Sequence, residues 1–350
     1  MVSAGAVAVS SQSIRLPQPV VANWIISSRE DLTWFIGPAL VSYAVLALMA
    51  AGFPLTPLYL IWLLGIDGPH VLATWTRTYF DPAERHRLGL WVWVVVPAVM
   101  LGPALVAAGA ESFFYIFAIA WLHYHIAKQH FGFVMLYKHK ARERDRTGFL
   151  LDRWFLLTSL MLPFGQFAVR NFFTVLPTLP AVQRLNALLL IGYGLLAAAW
   201  LLRQWNQWKR GEPPNTPKLM LMLAVVPLQW IAFGQAAAHP AEGVMRAGIV
   251  LGLFHSFQYH RLMWFHNRNR YAESEPETDS GLAGILARRV VYYFGAAVLL
   301  NLVLAVAPTR FLPSPYMKAA VWGLPFTHYI LDSKIWRVRG NRALADALRM

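Results

Sequence analysis

Apolar runs of about 20 residues recur along the chain, separated by short breaks that carry Pro, Gly and charge. Ten such runs are read as membrane-spanning helices, at about 33–51, 56–79, 88–109, 112–137, 153–173, 181–202, 218–238, 242–266, 285–307 and 315–335. Phe53-Pro54, Glu212-Pro213-Pro214-Asn215 and the prolines at 308, 313 and 315 punctuate the connections. The two long connections, KHKARERDRTGFLLD and NRNRYAESEPETDSG, are polar and solvated. The pattern predicts an all-α fold, a polytopic transmembrane helical bundle of about ten spans. Its parts are an N-terminal cytoplasmic segment (1–32), the helical domain (33–335) and a basic C-terminal cytoplasmic tail (336–350).

Some of these runs are interrupted by groups that lipid does not favour. The fourth contains WLHYHIAKQHFGFVMLY, Trp121 to Tyr137, with three histidines, a lysine and a glutamine. Ionisable groups inside a membrane are costly, and where they persist they mark function.

Composition agrees with a membrane chain. Of 350 residues, 57% are hydrophobic and 14% charged, against about 25% charged in soluble domains. The 15 Trp and 21 Phe suit membrane interfaces. The net charge of +14 is read as basic loops against an anionic leaflet, and nucleic acid is not expected as a partner. Arg15 is followed by LPQPVVANWI and then Arg29-Glu30-Asp31, without the compact apolar core and cleavage site of a signal peptide. With the N-terminus, the even-to-odd loops and the C-terminus on one side, that side holds 25 of the 31 Lys and Arg. The other side holds five, and Lys128 lies within a span. That bias places both termini in the cytoplasm of a multi-pass protein of the bacterial inner membrane.

With no cysteine in the chain, disulfides, Fe–S clusters and thiolate metal sites are excluded. Any metal is held by His, carboxylate or carbonyl groups. Of 11 histidines, His86, His139 and His239 fall at helix ends or in loops. The other eight fall on the second, fourth, eighth and tenth runs: His70; His123, His125 and His130; His255, His260 and His266; and His328. His70, His130, His260 and His328 precede the nearest basic boundary by six to eight residues, roughly 9–12 Å of helix. Helices parallel in direction can bring imidazoles at matched depth into one layer, as metal sites in helical bundles require.

Each run also offers polar neighbours. Asp67, His70 and Thr74 share one helical face, Gln258 and Tyr259 follow His255 by three and four residues, and Asp332 follows His328 by four. Asp67 and Asp332 are read as metal ligands or as orienters of ligand histidines. The candidate metal ligands are His70, His123, His130, His255, His260 and His328. Asp67, Asp332, Gln258, Tyr259 and Lys128 form the candidate catalytic set, with Lys128 open also to snorkelling. His125, about 200° from His123 around the helix, is read as a bystander, and His266 as interfacial. Gly65 to Pro69 and Gly323 to Pro325 break two of the helices next to His70 and His328, as fits a site better than a lipid-facing wall. The same histidines also suit interhelical hydrogen bonds.

HIAKQH at 125–130 and HSFQYH at 255–260 resemble the boxes of the histidine-box non-haem di-iron desaturases and hydroxylases, although the chain has no adjacent His-His pair. Isolated histidines on separate membrane helices also resemble the Brp/Blh-type bacterial membrane carotene dioxygenases. DGPHVLATWTRTY, WLHYHIAKQHFG, FHSFQYH and THYILDSKIWRVR together look like the signature of a bacterial membrane family to which we attach no activity. The expectation is a metal-dependent oxidoreductase, an oxygenase, hydroxylase or desaturase. It would use non-haem iron, mono- or dinuclear, on a lipophilic small molecule drawn from membrane lipids, with an electron donor as partner. Zinc is the alternative metal and bis-histidine haem the alternative cofactor. A transporter or proton-conducting protein is the alternative class. The outer halves of the four runs offer almost nothing ionisable apart from Arg246, which favours the enzyme.

Overall fold

The computed structural model describes residues 23–271, 280–338 and 340–350. Most of the N-terminal segment, part of the connection NRNRYAESEPETDSG, and Arg339 lie outside the described residues. Among the described residues there is no strand, and every regular element is a helix. The long elements are α1 (Ser28–Ala50), α2 (Leu55–Arg77), α3 (Pro82–Ala107), α4 (Glu111–Lys140), α5 (Arg146–Phe172), α6 (Pro180–Lys209), α7 (Thr216–Ala238), α8 (Gly243–Tyr271), α9 (Val290–Phe311) and α10 (Gly323–Ile335). Short helices at Gly281–Ala287, Pro315–Val321 and Arg342–Ala347 flank the last two.

Six of these, α1, α2, α3, α6, α7 and α9, are long and apolar enough to cross a membrane. Three of the four histidine-bearing helices, α4, α8 and α10, are not among them. Their polar residues are tolerated because the bundle shelters them. In α8, 18 of 29 residues are buried, and it packs against α1, α2, α4 and α7. By contrast, almost nothing of α6 is buried, and α3 and α9 are similarly peripheral. Such all-round apolar helices present their surface to lipid rather than to protein.

Helix starts follow local chemistry. Asp145 caps α5 by accepting from the Thr147 and Gly148 amides, and Asn215 caps α7 by accepting from Lys218. Between them sits a buried ionic knot. Lys138 and Lys218 each reach both Glu143 and Asp152, at 2.7–3.1 Å. Trp200 donates its indole N–H to Asp152, and Asn215 donates to Glu143. Two cations balance two carboxylates, and the knot fastens α4, α5, α6 and α7 together at one end.

The helix breaks beside His70 and His328 persist because neighbours complete them. Pro69 lacks the amide that would bond the Gly65 carbonyl, and the chain widens into a π turn over Leu63–Asp67. The side chains of Asn301, His260 and His70 donate to the carbonyls of Leu63, Ile66 and Asp67. Gly68 lets the Asn301 side chain lie directly against the helix here, where a Cβ would displace it. Gly323 has the same role on α10, where a Cβ would meet the Val99 backbone of α3 at 2.4 Å.

Candidate metal centre

Four imidazoles from four helices meet in the middle of this bundle: His70 of α2, His125 of α4, His255 of α8 and His328 of α10. They form a closed ring of neighbours. Centroid separations are 4.8 Å from His70 to His255, 5.1 Å from His255 to His125, 4.8 Å from His125 to His328 and 4.9 Å from His328 to His70. Each ring meets the next at a steep angle, and all four are buried.

Proton counting fixes the roles of the ring nitrogens. His70 Nδ1 lies 2.5 Å from the Asp67 carbonyl, which can only accept. Nδ1 therefore carries the proton and Nε2 keeps its lone pair. Ser256 Oγ donates to Asp67 Oδ1 at 2.8 Å and packs against the same ring nitrogen at 3.1 Å. For His328 the chain is longer. Tyr259 donates its hydroxyl to Asp332 Oδ1 at 2.9 Å, so its oxygen accepts the Thr74 hydroxyl proton across 2.6 Å. Thr74 Oγ1 is left to accept from His328 Nδ1, also at 2.6 Å. His328 Nε2 then carries a lone pair, and it is buried with no partner among the described residues.

His125 Nε2 is likewise buried and unpartnered, while its ring stacks on Tyr329 at 4.3 Å. His255 Nε2 lies 3.1 Å from His70 Nε2, and its own Nδ1 is unpartnered. Two nitrogens bound to one ion at about 2.0–2.1 Å stand about 3–3.4 Å apart, so this pair is already at ligand spacing. One ligand atom from each of His70, His255 and His328 falls within 4.8 Å of the others, as does one from each of His125, His328 and Asp332. The cluster can hold a metal ion. In His70 and His328 a ring nitrogen anchored on oxygen at one edge leaves a lone pair at the other, the usual arrangement of metal-binding histidine.

Several residues singled out from the sequence lie elsewhere. His123 donates Nε2–H to the Leu160 carbonyl at 2.9 Å and stacks on Phe164. His130 packs against Phe254, with no ring contact to the four. His260 is 6.4 Å from His70 by ring centroid, but both its nitrogens are engaged: Nε2 donates to Ile66, and Nδ1 accepts from Tyr293 at 3.1 Å. Gln258 donates to the Phe35 carbonyl, away from the cluster. His266 is fully buried in the protein, bonded to Asn267. His86, His139 and His239 are exposed.

His125 is the reverse case, read as a bystander and found in the ring. His123 and His125 do point to opposite sides of α4, and packing turns the His125 side inward. One sequence signal bears on this. His125, Lys128, Gln129 and Gly132 share a face at helical spacing, and Gln129 donates to the His255 carbonyl at 2.9 Å. Thr74 and Tyr329 complete the surroundings, Thr74 visible as the third member of the Asp67, His70, Thr74 face and Tyr329 only in three dimensions.

Beside the cluster lies a cavity of about 730 Å³. His125, Tyr259 and Asp332 form its inner wall, and Lys128 lines it further along α4. Lys128 holds its ammonium 5.1 Å from the centroid of Phe131.

The fold and site together define a helical membrane protein with a buried histidine cluster able to hold a metal. Comparison of the chain with family models, curated proteins and solved structures found no match.

Proposed function

We propose that this chain is an integral-membrane, metal-dependent oxidoreductase, an oxygenase, hydroxylase or desaturase, acting on a lipophilic substrate at a histidine-ligated non-haem iron. The ligands are His70, His125, His255 and His328, with Asp332 at the edge of the set. The observation that carries this reading is the pair of buried, unpartnered Nε2 atoms of His125 and His328, beside the 3.1 Å contact between the Nε2 atoms of His70 and His255. An apolar bundle interior leaves such unpartnered ring nitrogens at a cost, which a cation bound to them removes.

Both candidate triads share His328, which favours one ion over two. Imidazoles packed edge to face at about 5 Å leave no slot for a macrocycle, so non-haem metal is preferred to haem. All-imidazole ligation suits iron, zinc, copper or manganese. Iron is chosen because the neighbouring cavity is largely apolar and bound iron supplies oxygen activation there. The protein's own residues orient the ligands, through Asp67, Thr74 and Tyr259, and exclude water. We further propose ten spans with both termini cytoplasmic, in a bacterial inner membrane, with the centre in the cytoplasmic half of the bilayer and an electron donor as partner.

Elemental analysis of chelator-free protein, with a visible spectrum, tests the metal. The reading requires about one iron per chain and no Soret band. It also requires His70→Ala and His328→Ala to lose metal together. Full metal retention in both variants would overturn it. Lipid profiling of a deletion strain against its parent then names the substrate class.

A further inference from the structure

The cavity beside the histidine cluster runs along one face of α4. Its wall includes Trp121 at one end and His139 at the other, a span of about 27 Å of helix. A volume of about 730 Å³ lies within the usual range of small-ligand sites. Most of the wall is aromatic and aliphatic, but two permanent cations interrupt it, Lys128 of α4 and Arg337 just beyond α10.

Neither cation has a carboxylate partner among the described residues. Among the described residues, Lys128 has no ion-pair partner, and its ammonium rests against the face of Phe131. Arg337 donates Nε–H to the Ser333 carbonyl and has no carboxylate partner among the described residues. Asp332 is, among the described residues, the one carboxylate side chain in the cavity wall, and it is turned to Tyr259 and Thr74. The contrast with the knot of Lys138, Lys218, Glu143 and Asp152 is plain, because there each ammonium has two carboxylates. Lys128 is half-buried and Arg337 exposed, and two such cations in the wall of a largely apolar cavity favour an anion that can enter it.

We propose that the cavity binds a single-chain amphiphile with an anionic head, the head held by Lys128 and Arg337 and the chain laid along the aromatic wall past His125. The assignment names the substrate of the centre proposed above and so rests on that reading. Lys128 stands one helical turn from His125, which sets a carbon near the head opposite the cluster. Lys128 and Arg337 are binding and positioning residues in this scheme, with no part in holding the metal.

Full-length protein in a non-ionic detergent is titrated with oleate, with oleyl alcohol and with oleyl phosphate, read by intrinsic tryptophan fluorescence and by calorimetry. Metal content is measured on the same samples. Oleate is expected to bind about tenfold or more tightly than oleyl alcohol, the effect of a charge-assisted contact. Lys128→Gln and Arg337→Gln are expected to erase that preference with metal content unchanged, and Lys128→Arg to keep it. Tighter binding of oleyl phosphate than of oleate assigns a phosphate head in place of a carboxylate. Equal affinity for oleate and the alcohol, no binding of either anion, or a preference that survives both Gln variants overturns the proposal. Protein that takes up no iron yet discriminates by charge keeps the anionic site and removes the oxidoreductase reading. Iron-loaded protein without discrimination does the opposite.

Discussion

His70 and His255, 185 residues apart, face each other Nε2 to Nε2 at 3.1 Å in the centre of the bundle. Without a cation, one nitrogen must carry a proton and donate to the other, which leaves the unpartnered Nδ1 of His255 with the second lone pair. With a cation, both Nε2 lone pairs have a use. His255→Ala is therefore expected to lose bound metal. His260→Ala is expected to retain it, while losing about 1–3 kcal/mol of stability as the Ile66 carbonyl and Tyr293 lose their partner. Metal analysis and denaturation of both variants, side by side, check this. Metal loss in both variants would return His260 to the ligand set.

Thr74 holds the tautomer of His328. Thr74→Val keeps the shape and removes the acceptor of the Nδ1 proton. The expected result is metal affinity lower by about 10–100-fold with the fold intact. A competition titration against a chelator measures it. Tyr259→Phe acts one bond further away and should cost less.

Asp152 is fully buried and shared between Lys138 and Lys218. Asp152→Asn leaves two ammoniums on one carboxylate. Removing one partner of a buried ion pair costs about 3–5 kcal/mol. Unfolding in detergent should shift accordingly, and metal content per folded protein should not. An unchanged unfolding midpoint would show that water screens the knot.

Glu143 lies in the loop between α4 and α5. Burial by itself pushes its carboxyl up, but Lys218 and Lys138 outweigh that and hold it below the ordinary carboxylate range. A group depressed on folding stabilises the protein at every pH above its unfolded value, about 4.3, and loses that contribution as pH falls through the lower folded value. Melting temperature is thus expected to be level from neutrality down to about pH 5 and to drop below about pH 4. Glu143→Gln should start from a lower melting temperature and fall less steeply in acid. A parallel fall in both proteins would assign acid sensitivity elsewhere.

Helix and its approximate limits were legible in the sequence, because lipid-length apolar runs leave little other choice for the backbone. The concentration of histidines on α2, α4, α8 and α10 was equally legible, as were the breaks at Pro69 and Pro325 and the Asp67, His70, Thr74 face. The rotation of α4 was not. Its apolar residues run all the way round, so the pattern sets no inward face, and the spacing put His123 among the ligands and made His125 a bystander. Packing decided it: Phe164 and Phe233 enclose His123, while α8 and α10 bring His255 and His328 to His125. His260 shows the same limit. Its spacing from His255 and its depth are those of a ligand, yet the carbonyl freed by the π turn at Ile66 takes its Nε2–H. Sequence spacing sets which side chains share a face, but contacts between helices set which nitrogens are still free once the backbone has been satisfied.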